Sequence, residues 1–317
     1  MHPALPYPGA RYPRQVSNDT APGGPRAPGD GTEPGVAGAW GGTEIQFGEQ
    51  GARLTYGSYL RLDQLLSAQR LESQVQSGRP AHDELLFITI HQVYELWFQQ
   101  LLHEATAARD AMLDTGEDPR SDGDRGGLWW AQHLLQRMHV IERVLVQQID
   151  VLETMTPQDF LQFRQALAPA SGFQSVQFRE LEFLSGAQDA SFVRRFKGLT
   201  DAERERLLRR LDEPTLWDAF VRVLGSRDLP VADDDQVTDS LRRVAHDRST
   251  YADVWAVAEA LLQHDELAAA WRGRHVVMVE RMIGTKQGTG GSSGADYLRS
   301  RLDLRYYPLL WELRSVL

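Results

Sequence analysis

The stretch HDELLFITIHQVYELWFQQLLHE, residues 82–104, does most to limit what this chain can fold into. Its apolar residues recur at helical spacing but fall on most sides of the helix up to Leu102. A helix that is apolar nearly all round has to be enclosed by others. The sequence supplies those neighbours. Residues 126–155, with LWWAQHLLQRMHVIERVLVQQIDVLETM, predict another long helix, and WRGRHVVMVERMIG from Trp271 predicts one that Gly284 stops. Upstream, YGSYLRLDQLLSAQRLESQVQ sets Leu60, Leu62, Leu65, Leu66 and Leu71 at near-helical spacing before Gly78 and Pro80 end the run. Thr156–Pro157 reads as a cap with proline at the first helical position. Between 187 and 264, TDAERERLLRRL, PTLWDAFVRVL, VTDSLRRVA and YADVWAVAEALLQ read as short amphipathic helices. No internal repeat or period-2 strand competes with this pattern. The expectation is an all-α domain over 43–317 with long core helices, 187–264 being a small variable helical insert.

Residues 1–42 differ in kind. The first forty hold eight of the fifteen prolines and seven glycines with almost no aliphatic side chains. They cannot bury enough apolar surface to offset their ordering entropy, so a disordered tail is expected. A net charge of −10 argues against nucleic acid as a partner. The absence of cysteine excludes disulfides, zinc ribbons, iron–sulfur clusters, thiolate-ligated haem and a cysteine nucleophile. No run of about 18 apolar residues and no signal segment is found, which leads to the expectation of a cytoplasmic protein without a membrane span.

The chemistry concentrates in a few places. Trp271, His275, Met278, Val279 and Met282 share one helical face, so a single imidazole sits in a soft apolar stripe. His91 lies mid-helix with Phe87 one turn before it. By position alone, both histidines read as core or interface residues bonded to a neighbour. The other histidines form no HxxxH or HExxH pair, which makes a helix-borne zinc site improbable. His82 reads as a helix-start residue; His133, His139, His246 and His264 read as surface groups among polar neighbours. Arg164 shares a face with Phe160 and Leu167, and a guanidinium there wants an anionic partner, either a protein carboxylate or a ligand's. The loop TKQGTGGSSG lacks the last glycine of GxGxxG and follows a helix, so it fails as a phosphate loop. Thr289 within it could meet a small polar ligand instead. A second Ser/Gly turn, Ser171–Gly172, leads into another helix, whose amides could hold a carboxylate or serve only as a helix entry.

Taken together, YGSYLRLDQLL (56–66), HDELLFITIHQVYELWFQQLLHE (82–104), FRQALAPASGFQSVQFRELE (163–182) and WRGRHVVMVERMIGTKQGTGGSSGADYLRS (271–300) resemble the tryptophan 2,3-dioxygenase family, in the family's order. The tail and residues 187–264 match poorly. The resemblance implies a helical haem-binding fold assembled as a homotetramer, and cleavage of the indole C2–C3 bond of L-tryptophan by O2 to give N-formylkynurenine. It implies haem b with His275 as axial ligand and Trp271 lining the macrocycle, and His91 as the group that hydrogen-bonds the indole N–H. Phe87 and Phe160 would pack near the indole, Arg164 would pair with the substrate carboxylate, and Thr289 would contact its ammonium and carboxylate. Tyr56 and Tyr59 would come from a neighbouring subunit, while Ser171 and Arg179 would lie near the haem and its propionates. The alternatives on the same scaffold are an oxygenase acting on a methylated tryptophan or another indole, with one oxygen inserted, and a haem sensor or carrier without turnover.

Overall fold

The computed structural model describes residues 53–114, 127–196, 198–289 and 294–317. The expected disordered tail and residues 290–293 of the glycine loop lie outside the described residues. The chain divides into two units, 1–59 and 60–317. Of the first, only 53–59 are described: Thr55 exchanges hydrogen bonds with Ser58 and opens α1 (Tyr56–Leu60), on which Tyr56 and Tyr59 are 77% and 70% exposed.

All regular structure described in the second unit is helical. The leucine run of 60–71 does not make one long helix. Arg61 adopts a left-handed conformation (φ 52°), leaving α2 (Leu62–Leu65) and α3 (Glu72–Ser77) as short pieces with Leu60, Leu65 and Leu66 exposed. Gly78 ends α3 at φ 71°, a conformation that favours glycine. Glu84 holds α3 in place. It is fully buried, and its carboxylate accepts from the amides of Glu72 (2.7 Å) and Ser73 (3.1 Å), where a helix start leaves donors unpaired.

Three long helices form the frame: α4 (Glu84–Leu113), α5 (Leu128–Leu152) and, much later, α12 (Ala252–Ile283). α5 packs along both of the others. Leu101, Ala105, Leu134, Leu135, Met138 and Leu261 are fully buried between them, each large side chain contributing about 1.5–3 kcal/mol. Thr156 opens α6 (Pro157–Phe163) through a capping box with Asp159, as Thr–Pro predicts. Two 3-10 turns, Arg164–Leu167 and Gly172–Gln174, then lead into α7 (Val176–Ser185).

The middle of the chain packs in two places. α8 (Ala190–Arg195) and α9 (Asp201–Asp212) close a small core with α7 through Phe183, Phe192, Phe196 and Leu207. α10 (Leu216–Ser226) and α11 (Asp234–His246) place Phe220, Leu224, Leu241 and Val244 in the main core, fully buried. α12 then runs unbroken through residue 264. The span 187–264 is therefore built into the central bundle and has no boundary at its C-terminal end. α13 (Ala295–Arg299) and α14 (Pro308–Leu313) complete the chain.

Two histidines assigned to the surface are buried. His139 is 3% exposed and pairs through Nε2 with the Ala260 carbonyl at 2.9 Å. His264 is fully buried between Glu142 and Ser185. Their polar sequence neighbours point elsewhere on the helix, so neighbour composition misplaced them. His82 and His246 are exposed.

Candidate functional site

α12 carries His275 just over two turns before its end, and α4 carries His91 just under two turns after its start. The Trp271 ring, one turn earlier on α12, stacks on the His275 imidazole with centroids 5.0 Å apart and planes 10° apart. Met278 and Met282 are buried in a core cluster that Phe87, Phe160, Leu167, Trp271 and Val279 complete. Phe87 packs at a tilt against His91 (4.1 Å) and stacks on Phe160 (5.6 Å), with Phe163 edge-on to both phenylalanines. Helical spacing alone brings Phe87 to His91 and Trp271 to His275. The α4–α5–α12 packing brings the two pairs together.

The two imidazoles differ in their bonding. His91 Nδ1 lies 2.7 Å from the Phe87 carbonyl oxygen. A carbonyl only accepts, so Nδ1 carries the proton, and in the neutral ring Nε2 is left as an acceptor. Desolvation lowers the His91 pKa against smaller opposing effects from the Phe87 carbonyl and Glu95, which favours that neutral ring. His275 has no hydrogen-bond partner among the described residues. Burial and then the nearby His91 lower its pKa to about 4, so it too is neutral near pH 7, with a lone pair available. No group of three or more His, Asp or Glu side chains is positioned to hold a metal ion among the described residues. A metal on His275 would therefore need a ligand that brings its own donors.

Polar groups line a second side. Arg164 opens the first 3-10 turn, and its Nη2 donates to the Gln287 carbonyl. Of the two partners its sequence position allowed, the protein carboxylate is absent: Arg164 pairs with no described acidic side chain. Thr289 donates its hydroxyl to the Ala170 carbonyl at 2.6 Å. Arg164–Ala170 and Gln287–Thr289 are thus joined twice, through the two residues singled out for an amino-acid ligand. Gly294 closes the glycine loop from its far end. A Cβ there would sit 2.7 Å from the Lys286 carbonyl oxygen, and φ is +64°, so only glycine fits.

The remaining candidates have other partners. Ser171 caps the second 3-10 turn, its hydroxyl accepting from the Phe173 amide, and adjoins the Ala170 carbonyl that Thr289 reaches. Arg179 is 5% exposed, ion-paired with Glu182 and stacked 3.7 Å from the Phe192 ring centre. Its charge is already matched inside the protein. Sequence reasoning missed Glu95, one turn past His91, whose carboxylate accepts from Gln177 Nε2 at 2.8 Å and acts electrostatically on His91. It also missed Phe163, 1% exposed and packed on Phe87. The i, i+4 step from His91 to Glu95 was the available signal for the first.

Comparison with known proteins agrees with the resemblance. A sequence model of the family described as tryptophan 2,3-dioxygenase matches residues 43–228 and 238–317, so most of the middle segment matches after all. A tryptophan 2,3-dioxygenase of Nocardioides sp. is 70% identical over 274 residues, covering 86% of this chain and 98% of the relative. Those of Herpetosiphon aurantiacus and Myxococcus xanthus are 42% and 39% identical, covering 83% and 84% of this chain and 98% and 90% of the relatives.

Proposed function

This chain belongs to the tryptophan 2,3-dioxygenase family, and we propose from that premise that it opens the indole ring of L-tryptophan with O2, inserting both oxygen atoms to give N-formylkynurenine. The observation that carries the reading is the unlike pair of neutral histidines, His275 with no protein partner and His91 with only Nε2 open. The relatives' shared name gives no support to the methylated-indole or sensor alternatives.

The residues present fit haem b. His275, a neutral imidazole without a protein partner, would hold the iron, and Trp271, Met278 and Met282 would give the cofactor soft apolar contacts. When bound through His275, the cofactor supplies oxygen-activating iron. The chain supplies orientation and dryness. His91 Nε2 accepts from the indole N–H and so fixes the ring without having to remove its proton. Phe87 and Phe160 pack the indole. Arg164 exchanges the Gln287 carbonyl for the substrate carboxylate, a stronger charge-assisted partner. Thr289 similarly leaves Ala170 for the ammonium and carboxylate. Holding both ends of the substrate converts an encounter into an oriented one, which is the larger part of what a protein adds to such chemistry. The reading extends to a cytoplasmic homotetramer in which Tyr56 and Tyr59 complete a neighbouring subunit's site, in keeping with their exposure. No described helix is long and apolar enough to cross a membrane.

The test is anaerobic reduction of the holoenzyme followed by tryptophan and O2, with the haem spectrum and the product mass monitored together. Appearance of N-formylkynurenine supports the reading, and its absence with intact haem refutes it. His275→Ala should abolish stable haem incorporation; an unaltered Soret band would remove His275 from the iron.

A further inference from the structure

A group of buried polar side chains lies in the bundle outside this site. Glu142 on α5 reaches His264 on α12, with Oε1 2.5 Å from Nδ1, and His264 Nε2 lies 2.9 Å from Ser185 Oγ on α7. Ser185 donates its own proton to the Leu181 carbonyl at 2.7 Å, so it accepts from His264 and the Nε2 proton is assigned. One proton is then shared between Nδ1 and Glu142. All three residues are at most 5% exposed, which rules out any reaction with a solvent-borne substrate despite the Ser–His–Glu order.

This array borders a cavity of about 30 Å³. Most of its wall is apolar, from Leu101, Leu145, Phe178 and Leu181, but Glu142, His264, Arg272 and Tyr306 line it as well. Three of the lining side chains carry a polar atom buried without a partner: Glu142 Oε2, Arg272 Nε and Trp271 Nε1. The rest of Arg272 is engaged, Nη2 with the Leu304 carbonyl (2.8 Å) and Nη1 with the Tyr306 hydroxyl (3.3 Å). An acceptor and a charged donor, on residues each 5% exposed, thus belong to side chains that line one cavity.

We propose that this cavity is a built hydration site, in which one or two permanent water molecules bridge the Glu142 carboxyl group to the Arg272 guanidinium. The volume suits that number, since one water needs about 10–15 Å³ of such space. Buried polar atoms almost always have a partner, and an orphaned pair of opposite character is what a water satisfies by donating to one and accepting from the other. A cation is excluded by the guanidinium and an anion by the carboxylate. Water serves whether Glu142 is ionised or protonated. The site ties α5 to α12 at the turn that carries Trp271, which lines the cavity and also stacks on His275; His275 itself does not line it. The site stands whatever His275 binds.

The primary test is a crystal structure of the holoenzyme under xenon pressure. Ordered water within about 3.2 Å of both Glu142 Oε2 and Arg272 Nε supports the site. Xenon in the cavity, or empty density, overturns it. In solution, oxygen-17 relaxation dispersion counts long-lived internal waters. Ala268→Val pushes methyl groups into the cavity and should remove one or two from the count, an effect that mere overpacking would not produce. An unchanged count in the folded variant overturns the proposal.

Discussion

At His91, the bond from Nδ1–H to the Phe87 carbonyl decides what the other ring nitrogen can do. If Nε2 accepts from the indole N–H, His91→Ala should raise KM for tryptophan about two- to tenfold, the worth of one neutral hydrogen bond. It should leave KM for N1-methylated tryptophan unchanged, because that substrate has no proton to offer; equal effects on both would show steric support only. The lowered pKa adds a sign. The accepting form prevails at neutral pH, and protonation turns Nε2 into a donor, so KM should rise only in acid, below the ordinary histidine value of about 6.5. That acid limb should vanish in His91→Ala. Arg164, with no carboxylate of its own, should bind the substrate's. Arg164→Ala should raise KM for tryptophan by about ten- to a hundredfold, a hydrogen bond to a charged group being worth about 1.5–3 kcal/mol, while tryptamine, lacking the carboxylate, should not notice. Equal losses for both would make Arg164 structural. Residue pattern made Arg164 conspicuous because a guanidinium stood among apolar residues, but by itself it left His91 and His275 as ordinary core histidines, which the family resemblance alone singled out. Their difference lies in a bond to a carbonyl and in the lack of any bond, neither of which leaves a mark on residue type.

Helix ends were the most legible part of the chain. The Thr156–Pro157 cap and the Gly78 and Gly284 stops depend on side chains within one turn, and they stand where the sequence put them. The errors came from longer range. Leu60 to Leu71 have helical spacing, yet Arg61 turns left-handed and the run breaks. α12 reads as two helices because polar HDE interrupts its apolar pattern at 264–266, where in fact His264 and Asp265 are buried. Asp265 explains why a carboxylate belongs there. Its Oδ2 accepts from the Tyr306 and Tyr307 amides and from Trp311 Nε1, at 2.8, 3.1 and 3.0 Å, fastening the C-terminal segment to α12. Asp265→Ala would strand those donors, each costing about 1–3 kcal/mol. Denaturant unfolding should register a loss of at least about 3 kcal/mol, and limited proteolysis should cut between 304 and 313. A loss below about 1 kcal/mol would mean the segment finds other acceptors.

At the scale of the whole molecule, stability in acid should depend on His139. Burial holds its pKa near 4 while the unfolded chain titrates near 6.5, so between those values the unfolded state binds more protons. Stability is complete above 6.5, falls as pH drops through the window and is level below it, a loss of roughly 3 kcal/mol from this group. His139→Gln keeps a donor for the Ala260 carbonyl without the proton uptake, and should flatten that part of the stability–pH curve; an unaltered slope would assign the acid loss to other groups. The proposed assembly would leave a different mark. Leu54, Tyr56 and Tyr59 are exposed in the first unit, and Leu60, Leu65 and Leu66 in the second, more apolar surface than one short stretch ordinarily leaves in water. If the tyrosines serve a neighbour's site, two variants that are both impaired at low tryptophan should rescue each other there. Arg164→Ala has intact tyrosines but no carboxylate clamp; Tyr56→Ala/Tyr59→Ala has the clamp but no tyrosines. In a mixed oligomer, a clamp from the second chain can meet tyrosines from the first. With random two-fold pairing, about a quarter of sites are then complete. Co-expressed variants should recover about that share of wild-type turnover, and separately purified variants mixed without subunit exchange should recover none. If the tyrosines act within their own chain, no site in any mixture has both parts, and activity stays at the level of the single variants.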